Sequence, residues 1–134
     1  ARGGRFGIGT DIHACLSPRE ELRQLETAQR LAQGRADATG LGPHPARPLL
    51  EAVLAGGAQA SFRPLGAIAP GLRCDLVELD PAHPALVGRA GDALLDAWVF
   101  GPAEGAVRLV EAGRHVARAE VAAGFGRAMR RLLA

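Results

Sequence analysis

The residue best placed to do chemistry in this sequence is Asp11, which closes the run Phe6-Gly7-Ile8-Gly9-Thr10-Asp11. A short, glycine-flanked apolar run ending in a carboxylate reads as a buried strand over residues 5–9 whose carboxyl end presents an acid. In α/β enzymes that end carries metal ligands and acid/base groups. The same spacing also describes an aspartate that only caps a turn, so spacing leaves both roles open. His13 and Cys15 follow at alternating positions and could add ligands. No distant second pair completes a metal signature, however, and Cys15 reads better as a small buried residue. His83, in Pro81-Ala82-His83-Pro84, and His115 read as surface histidines on a turn and a hairpin, and His44 stands in a loop between two prolines. No Ser/His/Asp or Cys/His set assembles around a motif. Gly7 and Gly9 lack both the dinucleotide glycine spacing and the lysine and hydroxyl of a phosphate loop.

Several elements must position Asp11. Ser17-Pro18-Arg19-Glu20 is a helix start, with Ser17 as cap, Pro18 pre-set for the first turn and Glu20 completing a capping box. The helix runs to about Gln33, with Leu22, Leu25, Ala28 and Ala32 on one face, Leu31 beside it, and Arg19, Glu26 and Arg30 largely elsewhere. Residues 34–47 are rich in Gly, Ala and Pro and read as a loop. Pro48 opens a second helix whose apolar cluster is Leu49, Leu50, Val53 and Leu54, fading at Gly56-Gly57 or continuing to about Gln59.

Beyond Pro64 the period shortens. Residues 74–79 read as a strand stopped by Asp80-Pro81, and residues 93–100 as another, with Trp98 and Phe100 on one face. Residues 107–112 and 115–118 flank Gly113-Arg114 as a hairpin. Residues 121–133 form an amphipathic helix aligning Val121, Phe125, Ala128 and Leu132.

Composition narrows the partners. The 134 residues carry 16 basic groups, all arginine, against 14 acidic ones, for a net charge of +2. Arginine and carboxylates are interspersed, so no nucleic-acid surface is expected. No apolar run is long enough to span a bilayer and no signal peptide opens the chain, which makes the cytoplasm the expected compartment. Cys15 and Cys74 fit neither a disulfide framework nor a zinc ribbon. The chain opens at Ala1 and its one methionine is Met129, so an internal start is expected.

Phe6-Gly7-Ile8-Gly9-Thr10-Asp11, the helix from Ser17, and the stretch Gly66-Ala67-Ile68-Ala69-Pro70-Gly71-Leu72-Arg73-Cys74-Asp75-Leu76-Val77 follow one another as in the carboxyl-terminal part of the metal-dependent amidohydrolases. Within that superfamily the sequence most resembles the formimidoylglutamate deiminases. The likeness is carried by Glu20-Glu21-Leu22-Arg23-Gln24-Leu25-Glu26, Ala55-Gly56-Gly57-Ala58-Gln59-Ala60, Asp80-Pro81-Ala82-His83-Pro84, residues 92–100 and Ala112-Gly113-Arg114-His115-Val116. It spans nearly the whole chain.

The resemblance implies an α/β fold: the last strand and helices of a (β/α)8 barrel over residues 1–63, then the C-terminal part of a small β-sandwich with a terminal helix over residues 64–134. It implies that Asp11 is both a ligand of a divalent metal, zinc, and the catalytic acid/base, with His13 a candidate for substrate binding. The implied reaction is hydrolysis of N-formimino-glutamate to N-formyl-glutamate and ammonia in histidine degradation, by a homodimer acting on a small molecule, with no nucleic acid and no membrane. A guanine, cytosine or triazine deaminase shares the same motifs, and a non-catalytic truncated segment is the alternative from another class. One departure adjoins the site: Ile12 stands where the family usually has serine. The family's other metal-binding histidines are not in these residues, so the 134-residue segment alone is expected to be inactive.

Overall fold

The computed structural model describes residues 4–12, 16–36, 42–112 and 115–133. Its elements run α1 (Pro18–Gln33), α2 (Ala46–Ser61), β1 (Asp75–Leu79), α3 (Gly91–Phe100), β2 (Val107–Ala112), β3 (His115–Ala117) and α4 (Arg118–Leu132).

Helix α1 starts and stops where its punctuation dictates. The Ser17 hydroxyl accepts the Glu20 N–H, Pro18 occupies the first turn, and Gly34 ends the helix at φ 62°, a left-handed conformation that glycine adopts without penalty. The packed face differs from the expected one. Arg19, Leu22 and Glu26 are buried, whereas Ala28, Leu31 and Ala32 are exposed. The cause is partnering: the buried residues of α1 lie between Arg19 and Glu26, where Leu22 and Leu25 meet the core, and the charged side chains there bury because they are bonded. Glu26 accepts from Arg30 Nε at 2.5 Å, and Arg19 meets the end of α3.

Helix α2 begins two residues before Pro48 and passes through Gly56-Gly57 to Ser61, stopping at Phe62, which is itself left-handed at φ 53°. Pro45 at its N-cap offers no side-chain acceptor. Asp96 of α3 supplies one instead, its Oδ1 accepting the Ala46 N–H at 3.1 Å. Leu22, Ala46, Leu49, Val53 and Val99 form the main core, with Ile8, Leu25, Leu50, Leu95, Trp98 and Phe100 packed against it.

Residues 91–100 are helical, not a strand. An apolar run this short has no decisive period. Its start and its neighbours decide: the chain turns at Gly91 (φ 55°), Asp92 lies in the first turn where the helix dipole favours a carboxylate, and the helix buries Val99 against α1 and α2. The two parts expected from the sequence therefore share one core.

The remaining strands are antiparallel in the order β1-β2-β3. Asp75 lies opposite Ala112 and Val77 opposite Val110, with an irregularity between Glu78 and Leu79, while Val110 faces Val116 across the hairpin. The hairpin is as expected from the sequence, and its turn, Gly113-Arg114, lies outside the described residues. A smaller cluster of Leu86, Ala103 and Ala106 joins the turn after β1 to the loop before β2, and Trp98 touches both clusters. Helix α4 forms as expected, with Val121, Phe125 and Leu132 all exposed.

Candidate active-site segment

The segment leading to Asp11 is neither a strand nor buried. Residues 4–10 form no ladder among the described residues, and only Ile8 and Thr10 are partly covered. A strand exists through its neighbours' hydrogen bonds, and the described sheet lies elsewhere in the fold. What holds the segment is α2. Arg5 Nη1 donates to Gln59 Oε1 at 3.1 Å, Ile8 packs into the main core, and the Phe6 carbonyl lies so close to Gly56 that a Cβ there would fall 1.8 Å from its oxygen.

Asp11 stands just past this seat. It is exposed, in a turn, with φ 37°. Left-handed backbone is costly for most L-residues, and aspartate is among the few side chains that tolerate it. Ile12 is 96% exposed beside it. His13 and Cys15 lie outside the described residues.

Two other histidines, His83 and His44, are engaged structurally. His83 Nε2 bonds the Glu104 carbonyl at 3.0 Å and its Nδ1 accepts the Ala85 N–H at 3.2 Å, so both ring nitrogens hold a turn and neither is free as a base. This agrees with the turn role expected of it. His44 is a contact that sequence reasoning missed: its Nδ1 lies 2.6 Å from Asp96 Oδ2, linking the loop before α2 to α3. Its sequence context carries no signal, because the partner is 52 residues away.

A cleft of about 850 Å³ among the described residues is apolar, lined by Ile8, Leu22, Leu50, Val53, Val77 and Trp98 among others. The charged groups on its wall, Arg19, Glu20 and Glu104, pair with one another, and Asp11 does not line it. Among the described residues no three of His, Cys, Asp and Glu come together in a way that could hold a metal ion. The described residues thus do not make a metal site by themselves; at the end of the anchored segment they offer the exposed carboxylate of Asp11.

No protein-family profile matches the chain. Comparison with curated proteins finds formimidoylglutamate deiminase of Pseudomonas aeruginosa, 45% identical over 133 residues, which cover 97% of this chain and 29% of that protein. Comparison with solved structures finds an amidohydrolase from Brucella melitensis, with a TM-score of 0.72 and 34% identity over 98% of this chain and 31% of that one. The chain is homologous to a segment of an amidohydrolase. It spans less than a third of the length of either relative. The likeness expected from the motifs is borne out, and the mixed α/β content agrees with an amidohydrolase-type segment. No described helix is long and apolar enough to cross a membrane.

Proposed function

We propose that this chain is the carboxyl-terminal segment of a formimidoylglutamate deiminase, and that Asp11 is its contribution to the active site. The observation that carries the reading is 45% identity, across almost the whole chain, to a deiminase of that name. On this reading residues 1–63 belong to the catalytic barrel and residues 64–134 to a second domain, with α3 laid back on the helices of the first.

The reaction adds water to the formimino carbon of N-formimino-glutamate and releases ammonia, leaving N-formyl-glutamate. Asp11 suits the proton transfers: an exposed carboxylate can take a proton from the attacking water and return it to the departing nitrogen, a role that typically contributes about 10² to 10⁴ in rate. The same carboxylate is one ligand of a divalent cation, zinc on this reading, whose other ligands come from outside these residues. One carboxylate makes no complete site, so the 134-residue chain by itself is inactive.

Ammonia release from N-formimino-glutamate, measured with the full-length protein beside guanine and cytosine, tests the reading. Turnover of the formimino substrate is expected, and turnover of a ring substrate alone would overturn it. Asp11→Asn keeps a side chain that tolerates left-handed backbone while removing the charge, and it lowers kcat at least about 100-fold. Near-normal activity in that variant removes Asp11 from the site.

A further inference from the structure

A glycine inside a helix is unfavourable relative to alanine, and α2 carries two in succession, Gly56 and Gly57. Their surroundings differ. A Cβ built on Gly57 meets nothing within 4 Å, whereas one built on Gly56 falls 1.8 Å from the Phe6 carbonyl oxygen, 2.4 Å from its carbon and 3.1 Å from the Gly7 nitrogen. Those are backbone atoms, which cannot swing aside as the end of a side chain can. From the other side of the seam, a Cβ on Gly7 would lie 3.4 Å from the Gly57 nitrogen. Backbone therefore rests on backbone where the segment crosses α2.

We propose that Gly56 is a positioning residue for Asp11: its missing side chain sets how deeply the Phe6-Gly7 backbone seats on α2, and so where the Asp11 carboxylate is presented. This rests on the catalytic reading of Asp11. The seat is followed at once by Ile8, which packs into the main core, and Asp11 is reached four residues after Gly7. Any side chain at Gly56 lifts Phe6 by about 1 Å or more before the contact becomes tolerable. A displacement of that size at a reacting group costs on the order of 100-fold in rate even when the mutation is remote from the chemistry.

Gly56→Ala and Gly57→Ala form a matched pair, since both raise helix propensity and only the first meets the segment. In the full-length protein, with N-formimino-glutamate as substrate, Gly56→Ala is expected to lower kcat about 100-fold with KM within about twofold. Amide hydrogen exchange over residues 6–11 accelerates in the same variant. Gly57→Ala leaves kcat and exchange unchanged. The proposal is overturned if Gly56→Ala keeps kcat within about twofold of the parent, or if Gly57→Ala loses as much, which would make helix stiffening the cause. Should Gly56→Ala fail to fold, Gly7→Val tests the same seam: its Cβ would sit in ordinary contact with the Gly57 backbone, 3.4 Å from the nitrogen, and its branches beyond that crowd the seam, so kcat must fall several-fold; an unchanged kcat there is equally fatal. Asp11→Asn, run alongside, separates the two ideas. Retained turnover in that variant defeats the role of Asp11 itself, whereas its loss together with a fully active Gly56→Ala defeats only the positioning.

Discussion

The Arg19 guanidinium donates to the carbonyl oxygen of Gly101 at 2.7 Å, and in doing so the first turn of α1 closes the end of α3. Arg23, one turn further along α1, donates to the same oxygen at 2.9 Å, and the two arginines also reach the Trp98 and Val99 carbonyls at 3.4 and 3.5 Å. Trp98 and Val99 lie in the last turn of α3 and Gly101 is its C-cap; the last carbonyls of a helix have no partner within it, and their partial negative charge favours a cation. Glu20 and Glu104 complete the pairing of Arg19. The contact explains how an arginine can lie 5% exposed in a chain this small.

Arg19→Met keeps the bulk and removes the donors, taking one bond from Gly101, which Arg23 and the Ala103 N–H still serve, and the side-chain donor from the Trp98 carbonyl. Urea denaturation of the chain should show a loss of about 1.5 to 3 kcal/mol, the range for hydrogen bonds made by a charged group. Arg19→Lys cannot spread donors over several acceptors and should lose about 1 to 2 kcal/mol. A change below about 0.5 kcal/mol in Arg19→Met, the size typical of neutral surface sites, would show that the contact does not hold α1 to α3.

Glu104 gives the same contact a pH dependence. Its own backbone N–H, and next the Arg19 guanidinium, hold its carboxyl below the ordinary value of 4.5. A carboxyl lowered in the folded state binds protons more weakly there than in the unfolded chain. Its contribution is complete above about pH 4.5 and is lost as pH falls from there through the lower folded value. Because Glu104 is 69% exposed the effect is modest. Glu104→Gln, which mimics the protonated carboxyl at every pH, should lower the denaturation midpoint slightly near pH 7, where the contribution is complete, and converge on the parent below about pH 4.5, so that its acid limb is shallower. Parallel acid limbs in the two proteins would contradict this.

Local signals were legible in the sequence, and partnerships across the chain were not. Ser17, Pro18 and Gly34 announce α1, and Asp80-Pro81 with the valine-rich runs announces β1 and the hairpin, because caps and turns act within a few residues. Residues 93–100 were misleading as a strand, since a short run of Ala, Leu, Trp, Val and Phe is equally a helix that buries several faces, and its packing against α1 and α2 decides. The burial of Arg19 depends on carbonyls 79 and 82 residues away, which periodicity assigns to solvent. Asp11 was visible through its motif. Gly56, which seats the segment before it, looked only like a point where a helix fades.

Asp96 makes the second long-range closure, capping α2 from α3. Its Oδ1 accepts the Ala46 N–H at 3.1 Å while Oδ2 meets His44 Nδ1 at 2.6 Å, so one carboxylate serves a helix start whose own cap position holds proline. Losing an N-cap acceptor costs about 0.5 to 2 kcal/mol, and Asp96 is only 22% exposed, which favours the upper half of that range for Asp96→Ala. Asp96→Asn keeps an oxygen for Ala46 and loses the charge, so it should cost about half as much. His44→Ala spares the cap, and its loss should stay under about 1 kcal/mol, as for other partly exposed pairs. Amide exchange at Ala46 separates the two halves of the contact: it should accelerate in Asp96→Ala and remain slow in His44→Ala. Equal acceleration in both would mean that the histidine, and not the carboxylate alone, holds the start of α2.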